Sequence, residues 1–84
     1  MFLPMANRND LDLAFRSALG LDDAVDLAQI AYGETSGWDS VAHMQLIAAL
    51  EVKFGILLDT DDVIAMSDYS VAERILRDNH GIAF

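Results

Sequence analysis

This sequence predicts an all-α fold: a four-helix bundle with three longer helices, a short helix 3 and a long loop between helices 1 and 2. Three observations carry the prediction. Apolar residues recur at helical spacing in separate segments, capping acids, serines or glycines bound those segments, and no segment alternates as a strand would. The chain has 84 residues, and chains of this size bury only about 60–65% of their unfolded surface. A single domain over 1–84 with one modest core is therefore expected, with 1–8 as a loose N-terminal lead-in and 80–84 as a C-terminal tail.

In helix 1, Leu11, Ala14, Phe15, Ala18 and Leu19 fall on one stripe. With Asn9 or Asp10 as cap and Gly20 as a left-handed stop, the spacing predicts a helix from about Asp10 to Leu19. Leu21 to Gly37 then mixes Asp22, Asp23 and Asp26 with Val25, Leu27, Ile30 and Tyr32. It reads as a long loop held by its apolar residues, with a short helical turn around Ala24–Ala28; loops of this length are often functional. After Asp39 the pattern sharpens, since Leu46, Leu50 and Phe54 recur every four residues and Ile47 joins the same face. Helix 2 is predicted from Ser40 to about Phe54, closed by Gly55. Ile56-Leu57-Leu58 is an apolar connector, and Thr60-Asp61-Asp62 opens a brief helix 3 to about Ala65, with acids where the helix dipole favours them. Ser67-Asp68-Tyr69 makes a turn. Ser70-Val71-Ala72-Glu73 reads as a capping box for helix 4, whose buried edge is Val71, Ile75 and Leu76 and whose stop is Gly81.

Composition limits the function. Hydrophobic residues make up 54%, yet no apolar run approaches the roughly 20 residues of a membrane span, so that content belongs in a core. "MFLPM" lacks a basic n-region and is too short for a signal peptide, so a cytoplasmic protein is expected, and a monomer. Fourteen acids against five Lys and Arg give a net charge of -9, which repels nucleic acid and anionic membranes and attracts a protein partner with a positive patch. Without cysteine there is no disulfide, thiol nucleophile or thiolate metal site. Asp59-Thr60-Asp61-Asp62 invites a calcium-loop reading, but Val63 stands where a ligand is needed and Ile64 where a glycine is, so the acids read as helix N-terminal residues and no metal is expected.

The stretch "GWDSVAHMQLI" poses the functional question. In the plain reading Asp39 is an N-cap and Ser40 the first helical residue. Val41, Met44, Ala48 and Val52, however, form a second apolar line on helix 2 that a small core buries poorly, which suggests a docking surface. A serine nucleophile with His43 one turn on is a second reading. It fails because Trp38 and Ala42 occupy the glycine positions of a nucleophile elbow and no strand precedes it; His43 reads as solvent-facing and His80 as a polar residue near a C-terminus. Trp38 reads as packing over the base of the loop. Third, a phosphate-linked group on the Ser40 hydroxyl would meet free backbone N–H groups and the positive end of the dipole.

"DSVAHMQLIAALEVKFGILLDTDDVIAMSDYSVAERIL" resembles the acyl carrier proteins. The matching positions are Asp39-Ser40-Val41, Leu46-Ile47, Leu50-Glu51 and Phe54, followed by the acid-rich helix 3; the likeness runs from Gly37 to Leu76. The resemblance implies 4′-phosphopantetheine, derived from coenzyme A, on Ser40, with an acyl group carried as a thioester on the arm, which would explain acyl-thiol chemistry in a chain without cysteine. It implies that Asp39 assists the phosphopantetheinyl transferase with magnesium. It further implies that Val41, Met44, Ala48 and Glu51 face partner enzymes, and that Met66 helps docking or lines the acyl cavity. The partners implied are that transferase, an acyltransferase or ligase, and a condensing enzyme of the ketosynthase kind; the chain itself is expected to be non-catalytic, without catalytic residues.

Gln45 stands where many fatty-acid carriers have Glu, and Val52-Lys53 replaces a more acidic pair. Those departures weigh against a carrier for primary fatty-acid synthesis, while Trp38 before Asp-Ser and a chain ending soon after helix 4 look like a discrete carrier of specialised metabolism, polyketide-type or loading a small acyl unit such as a glyceryl-derived one. An unmodified helical protein-interaction adaptor is the alternative from another class.

Overall fold

A computed structural model describes residues 8–84 and contains four α-helices and one 3-10 turn. Helix α1 (Arg8–Leu19) buries Leu11, Ala14, Phe15 and Leu19, the stripe the sequence predicts. It begins two residues earlier than the spacing indicates, so Asn9 and Asp10 lie within its first turn instead of capping it. The reason is a tertiary contact: the Arg8 guanidinium pairs with Glu73 and lies over the Phe84 ring, 5.9 Å from its centroid. Arg8 therefore belongs to the bundle, and only residues 1–7 of the expected lead-in fall outside the described residues.

The loop after α1 is fastened by Arg16, whose Nη1 donates to the carbonyls of Asp22 at 2.6 Å and Val25 at 3.0 Å. Its helical turn is a 3-10 element at Leu27–Gln29, displaced from the expected position because the Asp26 carboxylate caps it by accepting from the Ala28 amide. Leu27 and Ile30 then point into the core. Gly37 has φ +90, and a Cβ there would stand 3.0 Å from the Leu19 carbonyl oxygen; the backbone conformation and the tight approach to α1 both favour a glycine.

Helix α2 (Ser40–Phe54) has the predicted bounds because both of its signals are local. Asp39 caps it and Gly55, in the left-handed region, stops it. Leu46 and Leu50 are fully buried and Ile47 nearly so, against α1; each such burial is worth roughly 1.5–3 kcal/mol. Helix α3 (Thr60–Ala65) has six residues and an Asp59 cap. Helix α4 (Tyr69–His80) buries Ala72, Ile75 and Leu76 and ends at Gly81, beyond which Ile82 and Phe84 pack back on the core. The expected capping box does not form. Asp68 takes the Val71 amide at 2.8 Å, which starts the helix one residue before Ser70, and Glu73 pairs with Arg8 and Arg77.

Among the described residues the only strand-like pairing is one isolated antiparallel bridge, Ala31 with Asp68, and no helix is long and apolar enough to cross a membrane.

Candidate functional site at the head of helix α2

The Asp39 carboxylate accepts from the Ala42 amide at 2.9 Å, and its carbonyl accepts from the His43 amide at 2.8 Å. The cap thus fixes the backbone on either side of Ser40, which stands exposed as the first residue of α2. The amides of Ser40 and Val41 have no carbonyl within the helix to reach, as holds for any first turn. From Ser40 an exposed track runs down the outer face at intervals of four, through Met44, Ala48 and Val52, with Val41 beside it. Val41 is 67% exposed, Met44 55% and Val52 85%.

Two residues expected to dock partners have other positions. Glu51 is half-buried and its Oε2 accepts from the Leu58 amide at 2.9 Å; it fastens the connector between α2 and α3, because that amide has no helical partner. Met66 is buried to 1% exposure because the chain folds it inward at the end of α3. Of the two places expected for it, docking surface or cavity wall, it does not take the first: it forms part of the wall of a cleft of about 280 Å³ with Tyr32, His43, Val63, Ile64 and Ser67.

His43, read from the sequence as solvent-facing, is also buried. Its Nδ1 accepts from Trp38 Nε1 at 3.0 Å and its Nε2 lies 2.8 Å from the Val63 carbonyl. An indole N–H only donates and a carbonyl only accepts, so the ring is the neutral tautomer with its proton on Nε2. With both nitrogens engaged, His43 offers no base to Ser40, and the serine-nucleophile reading loses its partner. Trp38 is fully buried, stacked 6.0 Å from His43 and edge-on to Phe15 at 5.7 Å. It packs under the loop, as expected, and pins the residue just before Asp39. No local pattern marks this pairing; only the five-residue spacing of an aromatic and a histidine across a helix start could have suggested it.

The chain on either side of Ser40 is one-sided in charge. Between Arg16 and Lys53 the chain contains no Lys or Arg but has Asp22, Asp23, Asp26, Glu34, Asp39 and Glu51. Arg16 itself is occupied by loop carbonyls. A balance of this sign favours cationic protein surfaces as partners of the chain.

A second polar cluster, also unforeseen, joins α3 to α4. Asp62, 5% exposed, accepts from Asn79 Nδ2 at 2.9 Å and lies 2.8 Å from His80 Nε2. His80, with help from Asn79 and a backbone hydrogen bond from Asp59, holds the Asp62 carboxyl below its ordinary range against the opposing effect of burial. The acid that looked like a spare calcium ligand is therefore a structural anchor. Near the start of α4, the Tyr69 hydroxyl donates to Asp12 at 2.5 Å; burial first, and then this carboxylate, pushes the phenol well above its ordinary range.

The corner suits a phosphodiester on Ser40. The hydroxyl is exposed, two backbone N–H groups lie at the helix end, and the dipole is positive there. Comparison with known proteins finds no matching family model, no matching curated protein and no matching solved structure.

Proposed function

We propose that this protein is an acyl carrier of the phosphopantetheine-dependent kind, modified on Ser40, that presents an acyl group to biosynthetic enzymes. The observation that carries the reading is the exposed Ser40, capped into place by Asp39, at the head of an exposed apolar track through Met44, Ala48 and Val52. When bound, the 4′-phosphopantetheine arm supplies the thiol that holds an acyl group as a thioester. The chain's own residues do the rest. Asp39 fixes the turn so that Ser40 points outward. The Ser40 and Val41 amides are placed to balance the charge of a phosphodiester. Val41 and Met44 offer an apolar contact to each visiting enzyme, and the surrounding acids bring basic surfaces to it. Contacts of this type are weak and salt-sensitive, which suits a carrier that must leave each partner.

The partners in this reading are a phosphopantetheinyl transferase, an acyltransferase or ligase, and a condensing enzyme, all in the cytoplasm. Gln45 and Val52-Lys53 on α2 favour specialised, polyketide-type metabolism or loading of a small acyl unit over primary fatty-acid synthesis. The protein itself catalyses nothing in this scheme.

The test is intact-protein mass spectrometry after incubation with coenzyme A, magnesium and a broad-specificity phosphopantetheinyl transferase. Wild type is expected to gain one phosphopantetheinyl group and Ser40→Ala none. No gain on demonstrably folded protein would move the permanent-adaptor reading, which the exposed Val41, Met44 and Val52 also support, to first place.

A further inference from the structure

The chain has two histidines, and both close on the same short element. Helix α3 has six residues, too few to persist without support. From α2, His43 Nε2–H donates to the Val63 carbonyl at 2.8 Å while Nδ1 accepts from Trp38. From α4, His80 Nε2 meets the Asp62 carboxylate at 2.8 Å and Asn79 supports it at 2.9 Å. Helix α3 also walls a cleft on each side. One of about 280 Å³ opens between Tyr32, His43, Val63 and Ile64; the other, also about 280 Å³, includes Asp61, Asp62, Arg74 and Asp78.

The two latches have opposite proton requirements. A second proton on His43 must go to Nδ1, where it would face the Trp38 N–H, donor against donor. The ring then has to turn away, and turning withdraws Nε2 from Val63. A second proton on His80 makes a full imidazolium facing a carboxylate, and charge-assisted hydrogen bonds are the stronger kind. We propose that α3 is a two-latch element which acid releases from α2 while α4 retains it, opening the cleft beneath Tyr32 and Ile64.

The surrounding groups agree with this. Facing His43 are the Tyr32 ring at 5.1 Å, Trp38, and the Val63 carbonyl of α3, while Asp39, one turn earlier on α2, directs its carboxylate to the Ala42 amide. Around the other latch, Asp59 binds the Asp62 amide. Asp61, Arg74, Asp78 and Asn79 line the cleft with Asp62, and Arg77 pairs with Asp78. The Asp62 carboxyl is held below its ordinary range, so it stays ionised through the span, roughly pH 5–8, in which imidazoles exchange protons.

The experiment uses unmodified protein and no partner, so its outcome is separate from that of the carrier reading. Hydrogen-exchange protection factors are measured by NMR at about pH 7.5 and about pH 5.5, alongside the titration of both imidazole rings. The amides of Val63 and Met66, which bond to Asp59 and Asp62 within α3, are expected to lose roughly tenfold in protection at the lower pH. The loss should follow the titration of the His43 ring, with the emission of the stacked Trp38 changing in step, while Ala72 in α4 is unaffected. His43→Gln, which keeps a donor toward Val63 but has no proton to gain, should flatten the response. His80→Gln should enlarge it.

Unchanged protection in wild type while His43 titrates would overturn the proposal. So would a His43 ring that does not titrate above about pH 5, or an undiminished response in His43→Gln. The first two results come from wild type alone and do not depend on the variants folding.

Discussion

Helices α2 and α4 both press an aliphatic face into the same core, but their outer faces differ. On α4 every exposed residue is polar: Ser70, Arg74, Arg77, Asp78 and Asn79. On α2 the exposed residues include Val41, Met44, Ala48 and Val52. Solvation explains the first surface. The second is left outside by a bundle that already has Leu46, Ile47 and Leu50 to bury, and it is the surface that the proposed docking of partner enzymes would use. Only α2 begins at the exposed serine.

The comparison holds only if the inner faces are equivalent, which large-to-small substitutions test first. Leu46→Ala and Leu50→Ala in α2 and Leu76→Ala in α4, all fully buried, should each cost about 2–5 kcal/mol in denaturant unfolding. A much smaller cost in α2 alone would mean that its inner face is as dispensable as its outer one. Next in size is Asp62→Ala, expected to cost about 1.5–3 kcal/mol because a charged hydrogen-bond anchor between α3 and α4 is lost.

Acid and alkali probe the same anchors without mutation. Asp62 has a depressed folded-state pKa, so its contribution is present above the unfolded value near pH 4 and is lost as pH falls below it. Tyr69 has a raised one, so its contribution is present below about pH 10 and is lost as pH rises beyond. Thermal melts across pH should decline at both ends, and Asp62→Asn should remove part of the acid limb.

Smaller again are the effects at the head of α2. Asp39→Ala removes a cap and should cost about 0.5–2 kcal/mol. Ser40→Ala should stay within about 0.5 kcal/mol while abolishing the mass gain. Smallest in stability are Val41→Asp and Met44→Asp, again within about 0.5 kcal/mol, yet turnover by the transferase or a condensing enzyme should fall. An exposed α4 substitution such as Asn79→Asp would be a poor control because Asn79 supports Asp62; Ser70→Asp is the cleaner one and should leave turnover unchanged.

What could be read from the sequence divides along the range of the interactions. The bounds of α2 and α3 were legible because Asp39, Gly55 and Asp59 act within a turn of themselves. The start of α4 was misread because Ser70 and Glu73 have capping-box spacing, but Asp68 reaches the Val71 amide and Glu73 is drawn to Arg8, 65 residues away. The position of Ser40 was legible for the same local reason as the α2 cap. The burial of His43 was not, since it depends on Trp38 and on a carbonyl 20 residues later. Met66 and Glu51 followed a pattern of positions, and their neighbours in space gave them other work.

Gly37 sits three residues before Ser40, and a Cβ there would stand 3.0 Å from the last carbonyl oxygen of α1. It is a spacer gauge for the molecule. A methyl group there would press on that carbonyl, and the neighbour would have to give by a few tenths of an ångström. The spacing between α1 and the stretch of chain that leads to the serine is thereby held by a residue whose part is to take up little room.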